Sequence, residues 1–272
     1  VGLCEVNGFN RFEIRGEDAT GFLDRMICGR LPRKQRRVGL AYLLNDQGML
    51  KAEATIANIP ASDGGPARNW YGSAAESEFH DMDWLSQHVG ADEDVQIKSL
   101  TNDQTILVLA GPKARAVMQM VSREDWSKEG FPWLSVRECF IGFAPATVMS
   151  VSFSGEHAYE IHVPNASLYA AYTALKAAGE THGLRLFGAL AVESMRLEKG
   201  YLHWKADILT EFDPFETGLD RFVQMDKANF VGKAALAKRV ETGASKRLIT
   251  MVLDKDHAPA HGGASVMDRD AV

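Results

Sequence analysis

The 272-residue chain has little cysteine, no long apolar run and no excess of basic charge. Its three cysteines, Cys4, Cys28 and Cys139, are odd in number and widely spaced. With no Cys-x-x-Cys pair and no matching histidine cluster they suit neither a zinc site nor a disulfide framework, and a reducing compartment is expected. The most apolar stretches, 106–110 and 146–153, are strand-sized. A bilayer span needs roughly 20 residues, so no membrane partner is expected. With 30 Lys+Arg against 36 Asp+Glu the formal charge is −6. The basic surface that displaces counterions from phosphates is missing, which argues against nucleic acid. No Gly-x-Gly-x-x-Gly follows a strand and no Walker loop is present, so a dinucleotide or nucleoside triphosphate site of those kinds is excluded. The start, Val1-Gly2-Leu3-Cys4-Glu5, carries neither a signal-peptide pattern nor an initiator Met, which suggests a fragment or a processed chain.

The 46% hydrophobic and 24% charged content is that of a globular enzyme with one large or two small domains. Phe12 and Ile14 alternate with polar neighbours as in a strand. Asp18 then opens a helix whose apolar residues are Ala19, Phe22, Leu23 and Met26. The runs 38–44 and 49–59 flank Asn45-Asp46-Gln47-Gly48, which is hairpin turn chemistry. A helix over 75–88 carries Phe79, Met82 and Leu85 on one stripe. The order then recurs loosely: strands near 95–100 and 105–110, a helix through Val117, Met118 and Val121, three strands within 136–163, and helices near 167–182 and 189–199. Strand-helix-strand-strand-helix-strand is the split βαβ order, so the fold class is α+β, antiparallel sheets with helices on one face, from two such units. The tail after Thr242 is expected to open a new strand, 247–253, that lacks a partner.

Few residues stand out chemically. Glu53 shares a strand face with Lys51 and Thr55, while Ala52, Ala54 and Ile56 take the other; by pattern alone this is ordinary surface charge. In Ser154-Gly155-Glu156-His157-Ala158-Tyr159-Glu160 two carboxylates flank a tight turn, which suits either convergent polar groups or a plain hairpin. Arg196 lies near the end of a helix that Gly200 would cap, where local pairing is the ordinary outcome. His157, His162 and His203 lack the spacing of a metal site, and no metal is expected. The run 30–37 is the only basic cluster, either a solvated loop or a contact for an anion.

The same stretches resemble a known family in order and wording. Arg11 to Gly16 with Phe22-Leu23, the hairpin at Leu43-Leu44-Asn45, and His80-Asp81-Met82-Asp83-Trp84-Leu85 match the T-protein-like half of dimethylglycine and sarcosine dehydrogenases, members of the glycine-cleavage T-protein (aminomethyltransferase) family. So do Val108 to Pro112, Phe131-Pro132-Trp133-Leu134, Gly155 to Pro164, Met195 to Gly200, and above all Pro214-Phe215-Glu216-Thr217-Gly218-Leu219-Asp220-Arg221-Phe222-Val223. The resemblance implies a T-protein-like folate-binding domain over 1–242 and the start of an incomplete C-terminal β-barrel over 243–272. It implies tetrahydrofolate as cofactor and transfer of a one-carbon unit from an N-methyl amine to give 5,10-methylenetetrahydrofolate. FAD is expected on a preceding domain or a partner subunit that makes the iminium. By resemblance Glu160 receives the pterin's adjacent N–H donors. Arg196 holds a pterin carbonyl or orients Glu160. Glu53 takes the place of a catalytic aspartate. Ser73 stands near a folate-contacting asparagine, and Tyr71, Trp204 and Asp207 line the pocket, with Glu156 contributing negative charge. Cytoplasm or, in a eukaryote, the mitochondrial matrix would house such a protein. A free-standing tetrahydrofolate-dependent demethylase or aminomethyltransferase is the alternative. An iron-sulfur maintenance protein is disfavoured because Lys199-Gly200-Tyr201 lacks the cysteine of its Lys-Gly-Cys signature.

Overall fold

Period-two alternation decides which side of each sheet is dry. A computed structural model describes residues 1–61, 65, 66, 68–254 and 262–267. Its strands are β1 (Gly2–Glu5), β2 (Phe12–Arg15), β3 (Arg37–Leu44), β4 (Leu50–Ile59), β5 (Arg68–Gly72), β6 (Gln96–Ser99), β7 (Gln104–Ala110), β8 (Val136–Ile141), β9 (Ala144–Met149), β10 (Ala158–Pro164) and β11 (Arg185–Leu186). They form a five-stranded sheet, β3-β4-β5-β2-β6, and a six-stranded sheet, β11-β1-β7-β10-β9-β8. The helices are α1 (Ala19–Met26), α2 (Glu78–Gln87), α3 (Ala114–Val121), α4 (Leu168–Glu180), α5 (Ala189–Lys199) and α6 (Lys233–Thr242). Among the described residues no helix is long and apolar enough to cross a membrane.

The same connectivity occurs twice. The series β2-α1-β3-β4-β5-α2-β6 and β7-α3-β8-β9-β10-α4-β11 place their strands in the same spatial order, except that β1 is inserted between β7 and β11. Each unit thus holds one strand more than the split βαβ pattern expected from sequence. In the first unit the extra strand is β5, whose residues Arg68-Asn69-Trp70-Tyr71-Gly72 have weak strand propensity. It exists because β4 and β2 pair with it on both sides.

Helices α1 and α2 cover one face of the five-stranded sheet, where Phe12, Ile14, Phe22, Leu23, Met26, Ala52, Ala54, Ile56 and Leu85 are buried together. Helices α3 and α4 cover the six-stranded sheet over Leu107, Leu109, Val148, Tyr159, Ile161 and Leu175. The helix-free faces meet through Val38, Ala57, Ile59, Trp70, Val136 and Met149. The Trp70 ring stands edge-on to His162, 4.8 Å between centroids.

Two expectations fail. Phe79 is 88% exposed, because α2 begins only at Glu78 after a 3-10 turn over 75–77, and the buried inward position goes to Asp81. Segment 247–253 forms no strand: with no neighbouring strand to pair, Ile249, Met251, Val252 and Leu253 stay exposed. No closed barrel occurs among the described residues; 255–261 and 268–272 of the expected barrel segment lie outside them.

Residues 200–232 return across the end of the β3-β4 hairpin and pack on Cys28, Tyr42, Leu44 and Leu50. Lys227 fixes them. Its ammonium donates to the carbonyls of Asp24, of Ile27 at 2.8 Å and of Gly29 at 3.0 Å, around the C-terminal end of α1, and lies 3.6 Å from Asp24 Oδ1. Gly29 permits the approach, since a Cβ there would meet Phe222 O at 2.6 Å. Lys227→Met should leave buried carbonyls unmet and cost roughly 2–3 kcal/mol, read as a lower urea midpoint; an unchanged midpoint would show that the cage is not structural.

Candidate functional site

The pairing of β4 with β5 ends at Thr55 opposite Gly72, whereas β3 accompanies β4 to Leu50. Residues 50–54 therefore border a notch beyond the end of β5. Glu53 projects there from the helix-free face, half-buried. Tyr42, its cross-strand neighbour, donates from Oη to Glu53 Oε2 at 2.6 Å. Burial raises the Glu53 pKa, while the Tyr42 hydrogen bond and the nearby His203 pull it down, with burial the largest effect.

α5 and the loop after it bring charge to this corner. Gly200 adopts φ 73°, the left-handed conformation that ends the helix, and Tyr201 N–H donates back to Arg196 O. The turn returns His203 to a point where Nδ1 is 3.2 Å from Glu193 Oε2 and the ring stacks edge-on against Phe153. Arg196 is buried; its guanidinium pairs with Glu193 and Asp207 and donates to Tyr201 O at 3.0 Å. Asp207 also accepts the His203 backbone N–H at 2.9 Å. Arg196 depresses the Glu193 pKa through its hydrogen bond and charge. Glu193 and Asp207 thus flank the Arg196 guanidinium, and the His203 imidazole lies between Glu193 and the field of Glu53, a carboxylate-rich corner suited to a cationic group.

The expected site residues fall into separate groups. Glu160 stands half-buried on the helix-free face of β10. His162 Nε2, at 3.6 Å from its Oε2, is a polar neighbour beyond hydrogen-bond length. Arg196 pairs with Glu193 and Asp207 rather than with Glu160, because α5 sets Glu193 one turn before it. Trp70, on the Glu53 side of its sheet, meets His162, on the Glu160 side of the other, so the two carboxylates stand on facing surfaces. Tyr71 lies on neither surface: it is fully buried in the helix-side core, stacked on Phe12, with Oη donating to Asp81 Oδ2 at 3.2 Å. The Ser73 hydroxyl is likewise committed, donating to Asp81 and accepting from Asn10 Nδ2 at 2.7 Å. Glu156 is exposed at the β9–β10 turn. Trp204 is buried beside Tyr42 in the layer that closes the notch. The basic run spends itself locally, Arg30 on Gln224, Arg33 on Asp24 and Arg37 on Ser135. Among the described residues no group of His, Cys, Asp or Glu could hold a metal ion.

Sequence reasoning missed Tyr42 and Glu193, and weighed His203 only as a metal ligand. Glu193 was accessible, three residues before Arg196 on a helix. His203 was not, because its place depends on the reversal at Gly200.

The pattern described as the GCVT N-terminal domain matches residues 1–227. Dimethylglycine dehydrogenase of Rattus norvegicus is 31% identical over 98% of this chain, which spans only 31% of that protein. An aminomethyltransferase of Caldanaerobacter subterraneus is 26% identical over 96% of the chain and is itself 68% covered. The glycine cleavage system aminomethyltransferase T of Bartonella henselae has the same fold, with a TM-score of 0.76 at 22% identity over 90% of this chain and 64% of that one. Matched over most of its length, the chain belongs to the GCVT N-terminal domain family, as an aminomethyltransferase-type module related to dimethylglycine dehydrogenases.

Proposed function

We propose that the chain binds tetrahydrofolate between its two sheets and passes to it the one-carbon unit of an oxidised N-methyl amine of the dimethylglycine or sarcosine type. The observation that carries this is the acidic corner around Glu53 facing Glu160 on the other sheet. Glu160 suits the folate because its carboxylate has acceptor capacity that His162, at 3.6 Å, does not use. A pterin offers the paired N–H donors that match a carboxylate.

Bound tetrahydrofolate supplies the amine nitrogens that take up the carbon, and the product is 5,10-methylenetetrahydrofolate. The rest is the work of the chain. Glu53 and its acidic neighbours stabilise the positive charge of an arriving iminium. The raised pKa of Glu53 also lets it hold a proton that leaves one folate nitrogen and release it to the departing amine, while the proton from the second nitrogen passes to solvent. The apolar layer of Trp204, Ile208 and Leu219 keeps bulk water from the iminium, which water would otherwise convert to formaldehyde. Arg196 fixes the corner by tying α5 to the 200–208 loop. A flavin domain or subunit carrying FAD would supply the iminium, a reading favoured by the dehydrogenase relative, of which this chain covers 31%.

Calorimetry with tetrahydrofolate tests the reading: Glu160→Ala should weaken binding by about tenfold or more, the loss expected for charged hydrogen bonds, and an unchanged affinity would remove Glu160 from the site. Glu53→Gln should leave affinity nearly intact and alter stability with pH. Because the folded-state pKa of Glu53 lies above its ordinary 4.5, its contribution to stability is complete at lower pH and is lost as pH rises through the raised value. The urea midpoint of Glu53→Gln should therefore gain on that of the unsubstituted protein from pH 4.5 upward, and parallel pH curves would contradict the assignment.

A further inference from the structure

Lys51 stands on the same face of β4 as Glu53, in the stretch that outruns β5. Glu53 takes Tyr42 as its partner, and Lys51 turns elsewhere. Its ammonium lies 2.7 Å from His80 Nε2 and 4.6 Å above the Trp84 ring centroid. An ammonium can only donate, so His80 Nε2 accepts and the ring proton sits on Nδ1, 3.5 Å from Asp81 Oδ1. Asp81 is buried and holds the Tyr71 and Ser73 hydroxyls on Oδ2. Lys51 thus reaches from the stretch beyond β5 to α2, where His80 adjoins the buried Asp81.

A second cation joins it. Lys205 is exposed in the loop that closes the notch, 5.9 Å from the Trp204 ring centroid, and its backbone sits at φ 68°. That left-handed conformation is strained for a lysine, and such strain concentrates at functional positions. Lys205 is close enough that its charge lowers the Lys51 pKa, alongside burial, while Asp81 raises it. Among the described residues neither lysine is within ion-pair distance of a carboxylate; the basic loop 30–37, by contrast, finds partners. The Lys51 ammonium, held between an indole and an imidazole and without a carboxylate in ion-pair distance among the described residues, makes a place for an anion.

We infer that Lys51, backed by His80 and Lys205, binds a carboxylate of the ligand whose reacting atoms lie against Glu53. The inference rests on the proposed one-carbon transfer, and it adds an anionic contact to a corner otherwise built for a cation. A carboxylate reaches that corner from two sources: the glutamate of the folate, or the carboxylate of an N-methyl amino acid, whose iminium end would then face Glu53.

The test titrates the full chain and its Lys51→Met, Lys205→Met and Lys51→Arg variants with tetrahydrofolate, with tetrahydropteroate, which lacks the glutamate, and with dimethylglycine. If the folate supplies the carboxylate, Lys51→Met loses about tenfold in tetrahydrofolate affinity and nothing for tetrahydropteroate, with a smaller loss for Lys205→Met. If the amino acid supplies it, the same loss falls on dimethylglycine alone. Lys51→Arg should retain most of the affinity in either case. Unchanged binding of all three ligands by Lys51→Met would overturn the subsite, as would an equal loss for tetrahydropteroate. Neither result touches folate binding itself; absence of any folate binding by the unsubstituted chain would instead remove the functional reading.

Discussion

The ammonium of Lys227 holds the closing wall of the molecule in place. The end of α1 presents backbone carbonyls with no helical partner, a focus of negative potential at the helix C-terminus. Lys227 gathers three carbonyls around it, and the segment that delivers it carries His203, Trp204 and Asp207 earlier in its course. Further fastenings follow the same line. Gln224 N–H donates to Cys28 O, Val231 N–H to Arg25 O, and Lys233 reaches back to the carbonyl of Lys227 itself. Without these contacts the notch past β5 would open to water on the side of Tyr42 and Glu53, and burial would no longer act on that carboxyl.

Within the notch, polar groups are arranged so that neutralisation is incomplete. Arg196 satisfies Glu193 and Asp207 together, which leaves Glu53 with only a phenol as its direct partner. Burial holds the pKa of a carboxyl placed this way above its ordinary value, the direction an acid-base group needs. The facing sheet offers a different chemistry. His162 and Trp70 are buried side by side, with ring nitrogens that meet no acceptor or donor among the described residues. Glu160 keeps free acceptor capacity on that surface, as a recognition carboxylate should.

Much of this architecture is written locally. Alternation placed Glu53, Lys51 and Thr55 opposite Ala52, Ala54 and Ile56, and the structure keeps that division. The β3-β4 turn, helices α1 to α5 apart from the onset of α2, and the Gly200 cap are each legible from residues a few positions apart, whereas α6 is not among the expected helices. What sequence could not reveal depends on distant pairing. Strand β5 is stabilised only by β4 and β2, and Tyr71 belongs to the core because β5 is there to point it inward. Phe79 was misjudged because a 3-10 turn rotates α2 and lets Asp81 in, a polar choice made acceptable by Tyr71 and Ser73. The tail strand was expected from composition, but a strand is a property of two segments and here there is one.

Strand β1 has a consequence for how the chain acquires its shape. It lies in the sheet of the second repeat, pairing with β7 and, in parallel, with β11 at Arg185 and Leu186. β1 is therefore seated between two strands that follow it in the chain, and the intervening repeat forms while β1 is still unpaired. At translation speeds of about 5–20 residues per second, roughly ten seconds or more separate the appearance of β1 from that of β11. Until β7 emerges, Leu3 and Cys4 have no neighbouring strand to pair with, and the sheet edge beyond β1 stays open until β11 appears. The first repeat is free to fold early as a local unit, whereas the second is completed by a strand that precedes the first repeat and sits one place in from its edge, so assembly here is ordered by topology rather than by position along the chain.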